Sequence, residues 1–159
     1  MNKKNKKNKS EINMTKNYRK KKNAALLIDG ENISYKKAES ILSVAKKQGV
    51  LDMDQVRVYG LQKDESTKGW SEKAIELGIK DIRLYGRPSK DKVDRKIQKD
   101  ALNIIENTKN INTVCISTSD KGYVGSIHEL RKERKQVVVI GEAKAPAKLR
   151  DACNRFIEV

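Results

Sequence analysis

The sequence predicts a three-layer α/β/α fold in which helices cover both faces of a mostly parallel sheet. Short runs rich in β-branched residues alternate with amphipathic stretches along the 159 residues, a length that fits one domain. The first run, "AALLID" at residues 24–29, is apolar up to its final aspartate. Such continuous runs are typical of strands buried on both faces, as in parallel sheets.

The predicted strands and helices alternate along the chain. Five runs have strand composition, at residues 24–29, 55–60, 79–86, 113–117 and 136–141. Four stretches carry apolar residues at helical spacing, at residues 33–49, 92–110, 123–135 and 146–156. Gly49 is a helix stop signal, and Pro146 suits a first helical position. A further amphipathic segment begins near Trp70, which we expect to pack in the core.

Charge divides the chain near residue 22. The protein has 36 Lys and Arg against 21 Asp and Glu, a net charge of +15 that favours nucleic acid over a membrane surface as partner. The first 22 residues hold ten of the basic residues and one acid, which predicts a disordered tail at 1–22 before a domain at 23–159. Two roles for the tail stay open: a solubilising extension, or an electrostatic arm for a phosphate backbone.

The location follows from what the sequence lacks. No apolar stretch approaches the roughly 18 residues that span a bilayer, and the first 20 residues contain no apolar core of a secretory signal. We therefore expect a cytoplasmic protein. Cys115 and Cys153 have no metal-binding spacing, and we expect two buried thiols.

Acidic residues mark the ends of the predicted strands. Asp29 follows the first strand, Asp94 opens the helix after the third, and Asp120 follows the fourth. Ligands of open α/β sheets bind outside the carboxyl ends of the strands. Carboxylates that converge there raise one another's pKa unless a cation holds them, and Mg²⁺ or Mn²⁺ suits such oxygens. A single Asp more often caps a helix or forms a turn, as Asp120 in "STSDKG" would, but three acids at one end of the sheet favour a divalent-metal site.

The sequence lacks the residues that three other kinds of functional site require. The chain has no GxGxxG after the first strand and no GxxxxGK[ST], which excludes dinucleotide and P-loop sites of the usual kind. His128 is the only histidine and lies inside an amphipathic helix, so a Ser-His-Asp set is not credible.

Five segments resemble the NYN domain family, in particular its bacterial LabA-like branch with a PIN-like nuclease fold. They are "LLIDGENIS", "VYGLQKDESTKGWSEKAIELGI", "SKDKVDRKIQKDAL", "CISTSDKGY" and "GEAKAPAKLRDACNRFI", and the resemblance runs from about residue 24 to the end. It implies a divalent-metal-dependent ribonuclease site built from Asp29, Asn32, Asp94 and Asp120. Asn32 would orient a water or a phosphate; the alternative is the N-cap of the first helix, and one residue could serve both roles. A second acid of the helix motif matches Asp100, which lies about 120 degrees around the helix from Asp94, so we expect a supporting role for it.

One position departs from the family pattern. Gly122 stands where the family has a second Asp, and Lys121 replaces a small polar residue. Asp91 stands where the family often has Asn, and could partly replace the missing acid. Two functions therefore stay open: a metal-dependent ribonuclease, or a weakened domain that serves as an RNA-binding or regulatory module.

Basic residues surround the predicted acids. We expect phosphate contacts from six of them, Arg83, Arg87, Lys90, Lys92, Arg95 and Lys121, although a solvated basic face is the alternative. Tyr85 and Tyr123 are possible stacking platforms for bases, and both are as easily core or rim residues. Because no base-reading module is present, we expect contact with single-stranded or structured RNA with little sequence specificity.

Overall fold

A computed structural model of the protein describes residues 22–62, 65–89 and 91–159. Its six strands form one sheet, all parallel, which confirms the predicted fold class. The strands are β1 Ala24–Asp29, β2 Leu51–Leu61, β3 Lys80–Leu84, β4 Thr113–Ser117, β5 Gln136–Gly141 and β6 Arg155–Glu158. The predicted tail at 1–22 lies outside the described residues except for Lys22.

Helices cover both faces of the sheet. They are α1 Ala38–Gln48, α2 Glu65–Leu77, α3 Lys92–Asn107, α4 Val124–Lys132 and α5 Ala147–Ala152. Single 3₁₀ turns at Tyr35–Lys37 and Lys121–Tyr123 precede α1 and α4. Helices α1 and α2 pack on one face in one apolar cluster, whereas α3, α4 and α5 pack on the other face in a second. None of the described helices is long and apolar enough to cross a membrane.

The strand order fixes where a ligand can bind. The order is β3-β2-β1-β4-β5-β6, so the chain builds outward from β1 to β3 and then returns to the other side of β1. A crevice opens at the carboxyl ends of the two strands where the order reverses. These strands are β1, which ends in Asp29, and β4, which is followed by Asp120 three residues later.

The C-terminal segment differs from the prediction. A helix to residue 156 was wrong, because α5 ends at Ala152 and residues 155–158 form β6. Asn154 anchors this strand: its N–H donates to the carbonyl of Val137, and its side-chain oxygen accepts from the N–H of Val137 at 2.9 Å. Edge pairing with β5 therefore overrides the helical pattern of the segment.

The other core expectations are confirmed. Trp70 is buried in the middle of α2, where its indole N–H donates to the carbonyl of Ile33 at 2.7 Å. Cys115 and Cys153 are buried free thiols. The second strand begins earlier than predicted, at Leu51, and a register shift against β1 accommodates the extra residues.

Candidate functional site

Asp29 lies at the end of β1 and is fully buried. One oxygen, Oδ2, accepts three hydrogen bonds, from Asn32 Nδ2 at 2.6 Å, Thr118 Oγ1 at 3.2 Å and the Tyr123 hydroxyl at 3.1 Å. The other, Oδ1, accepts from the backbone N–H of Glu31 at 3.3 Å. Burial raises the pKa of Asp29 above its ordinary value, although these hydrogen bonds oppose the shift.

Asp94 lies in the first turn of α3 and is 8% exposed. Burial raises its pKa to about 6, and the negative charge of Asp29 adds to the effect. The Tyr123 hydroxyl opposes this shift, while Asp120 and Asp91 contribute smaller repulsions. The predicted acids therefore face one crevice. Within the described part of the chain, neither Asp29 nor Asp94 forms an ion pair.

Asp120 caps the 3₁₀ turn that follows β4. Its Oδ1 accepts from the backbone N–H of Gly122 at 3.0 Å, and its own N–H donates to Thr118 Oγ1 at 3.2 Å. It is partly exposed. Asp120 thus has the capping role common for an Asp at a turn, while its charge also acts on Asp94.

Gly122 lies between two of the acids. A Cβ atom built on it would stand 2.8 Å from Asp94 Oδ2 and 3.6 Å from Asp120 Oδ1. The described glycines with positive φ are Gly78 and Gly86, so backbone strain does not require glycine at 122. Any larger residue there must instead displace the Asp94 carboxylate.

Asn32 holds Asp29 and caps no helix. Ser34 is the residue that caps the turn before α1, since its hydroxyl accepts from the N–H of Lys36 at 3.3 Å. The alternative role of Asn32 as a helix cap is therefore wrong. Its amide donates to Asp29 instead, in the shortest hydrogen bond of that carboxylate.

Asp100 and Asp91 differ in their surroundings. Asp100 is buried and accepts from the Tyr59 hydroxyl at 2.9 Å, with Lys96 Nζ at 2.9 Å and Arg57 at 3.4 Å. These contacts favour the supporting role expected for it. Asp91 is exposed at the N-cap position of α3 and makes no side-chain capping bond.

Two residues of the crevice were not identified from the sequence. Tyr123 was considered as a stacking platform, but it is fully buried and cannot stack on a base. Its hydroxyl and that of Thr118 both donate to Asp29. The sequence contains one signal that could have placed Tyr123 in the crevice. Residues three apart in a 3₁₀ turn lie on the same side of it, so Tyr123 of the turn at Lys121–Tyr123 lies on the same side as Asp120.

The six predicted RNA contacts are not equivalent. Arg83 is held internally, with Nε 3.1 Å from Asp81 Oδ1 and further bonds to Ser71 and the Leu61 carbonyl, so its contacts favour a structural role. Arg95 is exposed and donates to Ser89 Oγ at 3.4 Å. The remaining positions have distinct surroundings: Lys92 is half-buried, Arg87 and Lys121 are exposed, and Lys90 lies outside the described residues.

The fit to a metal ion is partial. Among the described residues no group of three or more His, Cys, Asp or Glu side chains is arranged to hold a metal, so the predicted three-carboxylate ligand set is not assembled. Mg²⁺, however, usually takes only one or two protein carboxylates and keeps several waters. The mutually repelling acids of the crevice suit such a water-rich site and do not suit a closed cage.

The fold and the acidic crevice define an α/β protein of the PIN-like class. The NYN domain model matches residues 23–159, and the chain belongs to the NYN domain family, whose members are generally nucleases. A protein of unknown function from Vibrio parahaemolyticus has a similar structure, with a TM-score of 0.69 and 18% identity over 87% of this chain and 93% of that one. No curated protein matches the chain.

Proposed function

We propose that the protein is a divalent-metal-dependent ribonuclease of the LabA-like branch of the NYN family, and that the acidic crevice at the ends of β1 and β4 is its active site. The observation that carries the proposal is the environment of Asp94. A buried carboxylate whose neighbours are other carboxylates, with its pKa raised to about 6, is costly unless a cation compensates it. Carboxylates with strongly shifted pKa values cluster at functional sites.

The residues divide into ligands and supports. Asp94 would hold Mg²⁺ or Mn²⁺ together with Asp29 or Asp120, and the bound ion would supply Lewis acidity and a water of lowered pKa. Asn32, Thr118 and Tyr123 fix the orientation of Asp29 by donating to one of its oxygens. Fixed orientation matters because misplaced catalytic groups lose much of their effect.

The surroundings of the crevice support RNA as the substrate. Arg87, Arg95 and Lys121 are exposed near the start of α3 and the end of β4, and we propose that they contact phosphates. Lys90 and the tail at 1–22, which apart from Lys22 lie outside the described residues, would add to the same electrostatic attraction. Contacts of this kind carry little sequence specificity. A cytoplasmic location remains our proposal.

The second candidate function is an RNA-binding or regulatory module with a weakened site. Two observations favour it: Gly122 in place of an acid, and the absence of a ready three-acid ligand set among the described residues. The exposed basic residues Arg87, Arg95 and Lys121 would bind RNA phosphates in this module as well. The two functions differ in one respect, which is whether the phosphodiester bond is broken.

The test is incubation of purified protein with end-labelled single-stranded, hairpin and duplex RNA in Mn²⁺, Mg²⁺ or EDTA. Cleavage that requires the metal and is lost in Asp94→Asn supports the nuclease. The matched control is Asp54→Asn, which removes the same charge from an aspartate whose side chain is 79% exposed on β2. Binding without cleavage under every condition supports the regulatory module instead.

A further inference from the structure

A cleft with an apolar lining lies beside the acidic crevice, at the carboxyl ends of β2 and β3. It has a volume of about 680 Å³, and its walls include Leu61, Leu84, Tyr85, Arg87 and Pro88. We call it the β2–β3 cleft. Its size falls within the range of ordinary small-ligand sites, about 300–1,000 Å³.

The β2–β3 cleft is close to Asp29 and is tied to the helix that carries Asp94. Asp29 pairs in register with Tyr59, and Leu61 lies two residues further along the same strand. With strands about 4.8 Å apart and about 3.3 Å per residue, the Cα atoms of Asp29 and Leu61 are roughly 8 Å apart. Lys92, two residues before Asp94, donates its ammonium hydrogens to the carbonyl oxygens of Tyr85 and Arg87.

The exposure of Tyr85 indicates what the cleft binds. The residue is 65% exposed, and it shares a wall of the cleft with Leu84 and Pro88. Exposed Arg87 and Arg95 make the surroundings positive, which complements a polyanion. Proteins recognise unpaired RNA by stacking splayed bases on aromatic side chains beside a basic track for the backbone.

We propose that the β2–β3 cleft binds one unpaired base of an RNA strand and that Tyr85 provides the stacking surface. This inference rests on the proposed function, because the phosphate next to that base then lies at the acidic crevice. The strand is selected in single-stranded form, since a base within a duplex is not free to enter the cleft. The cleft therefore makes the enzyme discriminate between unpaired and paired RNA.

The experiment measures binding by the full chain in EDTA, where metal-dependent cleavage does not interfere. The probes are a labelled oligoadenylate, an abasic oligomer of the same length, and a duplex. We expect Tyr85→Ala to lose about tenfold in affinity for oligoadenylate, as base–aromatic stacking predicts, and to bind the abasic oligomer as wild type does. Tyr85→Phe, which retains the ring, should bind oligoadenylate within about twofold of wild type.

The controls separate the cleft from the fold. Ile75→Ala removes an apolar side chain that is 86% exposed on α2 and should change no affinity. Thermal melting should be the same for Tyr85→Ala and wild type, because the ring is exposed. An unchanged affinity in Tyr85→Ala, or an equal loss for the abasic oligomer, overturns the proposal. The proposal is also overturned if wild type is a dimer that Tyr85→Ala dissociates while RNA affinity stays the same, because the cleft would then join two copies of the chain.

The outcomes also distinguish this inference from the proposed function. Cleavage that depends on metal but not on Tyr85 leaves the nuclease standing and overturns the base site. Binding that depends on Tyr85 without cleavage under any condition supports the base site and overturns the nuclease. A wild type that binds none of the three probes in EDTA overturns the base site, whereas the nuclease is overturned only if RNA is not cleaved in Mn²⁺ or Mg²⁺.

Discussion

Two buried aspartates on helix α3 have opposite surroundings. Asp94 and Asp100 are 8% and 6% exposed. Asp100 is met by Lys96 at 2.9 Å, Arg57 at 3.4 Å and a tyrosine hydroxyl at 2.9 Å, so its charge is compensated within the fold. The charged groups that act on Asp94 are the carboxylates Asp29, Asp120 and Asp91, and a single hydroxyl opposes them.

The comparison separates a structural carboxylate from a functional one. A buried charge with partners stabilises a fold only modestly, but its loss leaves those partners unpaired. A buried charge whose neighbours have the same sign costs stability and persists where function needs it. We therefore assign Asp100 to the scaffold and Asp94 to the proposed chemistry.

The largest effect is expected from Asp94→Asn on catalysis. Removing this carboxylate should reduce Mn²⁺-dependent RNA cleavage by about a hundredfold or more, since loss of even a supporting residue of a metal site costs up to about that much. The free energy of unfolding without metal should stay the same or rise, because repulsion is relieved. Cleavage rates and urea denaturation measure the two quantities. A variant that cleaves at the wild-type rate would remove Asp94 from the site.

Asp100→Asn should show the reverse pattern. We expect the free energy of unfolding to fall by about 1–3 kcal/mol, because Arg57 and Lys96 lose their charged partner. Cleavage per folded molecule should change by less than about threefold. Urea denaturation at neutral pH, followed by an assay under fully folded conditions, provides both values. A large catalytic loss in a stable variant would contradict the scaffold role.

The pH dependence of stability should differ between wild type and Asp94→Asn. The pKa of Asp94 is raised from 3.8 to about 6 in the folded state, so the folded protein holds this proton more tightly than the unfolded chain. Stability of the metal-free protein should therefore fall as pH rises from about 4 to about 6, with Asp29 acting in the same direction. Melting temperature against pH should be flatter in Asp94→Asn. Identical curves for the two proteins would contradict this account of the crevice.

A smaller effect is expected from Tyr123→Phe, which removes a hydroxyl bonded to Asp29. The free energy of unfolding should fall by about 1 kcal/mol. Because this hydrogen bond lowers the pKa of Asp29, its loss should also weaken Mn²⁺ binding more at pH 6 than at pH 8. Calorimetric titration at the two pH values measures this difference. Thr118→Val removes a second donor to Asp29, together with the acceptor of the Asp120 N–H, and should weaken Mn²⁺ binding in the same direction.

The smallest effect is expected at Gly122. Gly122→Asp adds a carboxylate to the crevice, but its Cβ must displace Asp94 Oδ2, which would lie 2.8 Å away. Gly122→Asn causes the same displacement without the charge. We expect Mn²⁺ affinity to be a few-fold higher in the Asp variant than in the Asn variant, as one more carboxylate ligand implies. Equal affinities in two variants of equal stability would show that no acid is missing at this position.

The acidic crevice could be predicted from the sequence because short local patterns indicate it. An apolar run that ends in Asp29, and acids after later strands, place carboxylates at one edge of a parallel sheet without knowledge of any contact. The metal ligand geometry was not predictable in the same way. The geometry depends on which carboxylate oxygens of Asp29 and Asp120 already accept hydrogen bonds from neighbouring residues. Two of the donors to Asp29, Thr118 and Tyr123, come from another segment of the chain, so no periodic pattern in the sequence reveals them.

The partners of Asp100 were missed for the same reason. Arg57 and Tyr59 come from β2, about forty residues earlier in the chain, and sequence periodicity reports the face of a helix but not the strand beneath it. The β6 strand was missed because edge pairing, rather than composition, determines its conformation.

Whether the crevice binds a metal ion is tested most directly by the Mn²⁺-induced change in melting temperature of wild type, Asp94→Asn and Asp100→Asn, measured without RNA at neutral pH. A ligand at a hundred times its Kd stabilises the protein that binds it by about 2.7 kcal/mol. We expect a clear increase in wild type, a similar increase from a lower starting temperature in Asp100→Asn, and no increase in Asp94→Asn. No increase in wild type, or an equal increase in Asp94→Asn, would contradict the assignment of the crevice as a metal site.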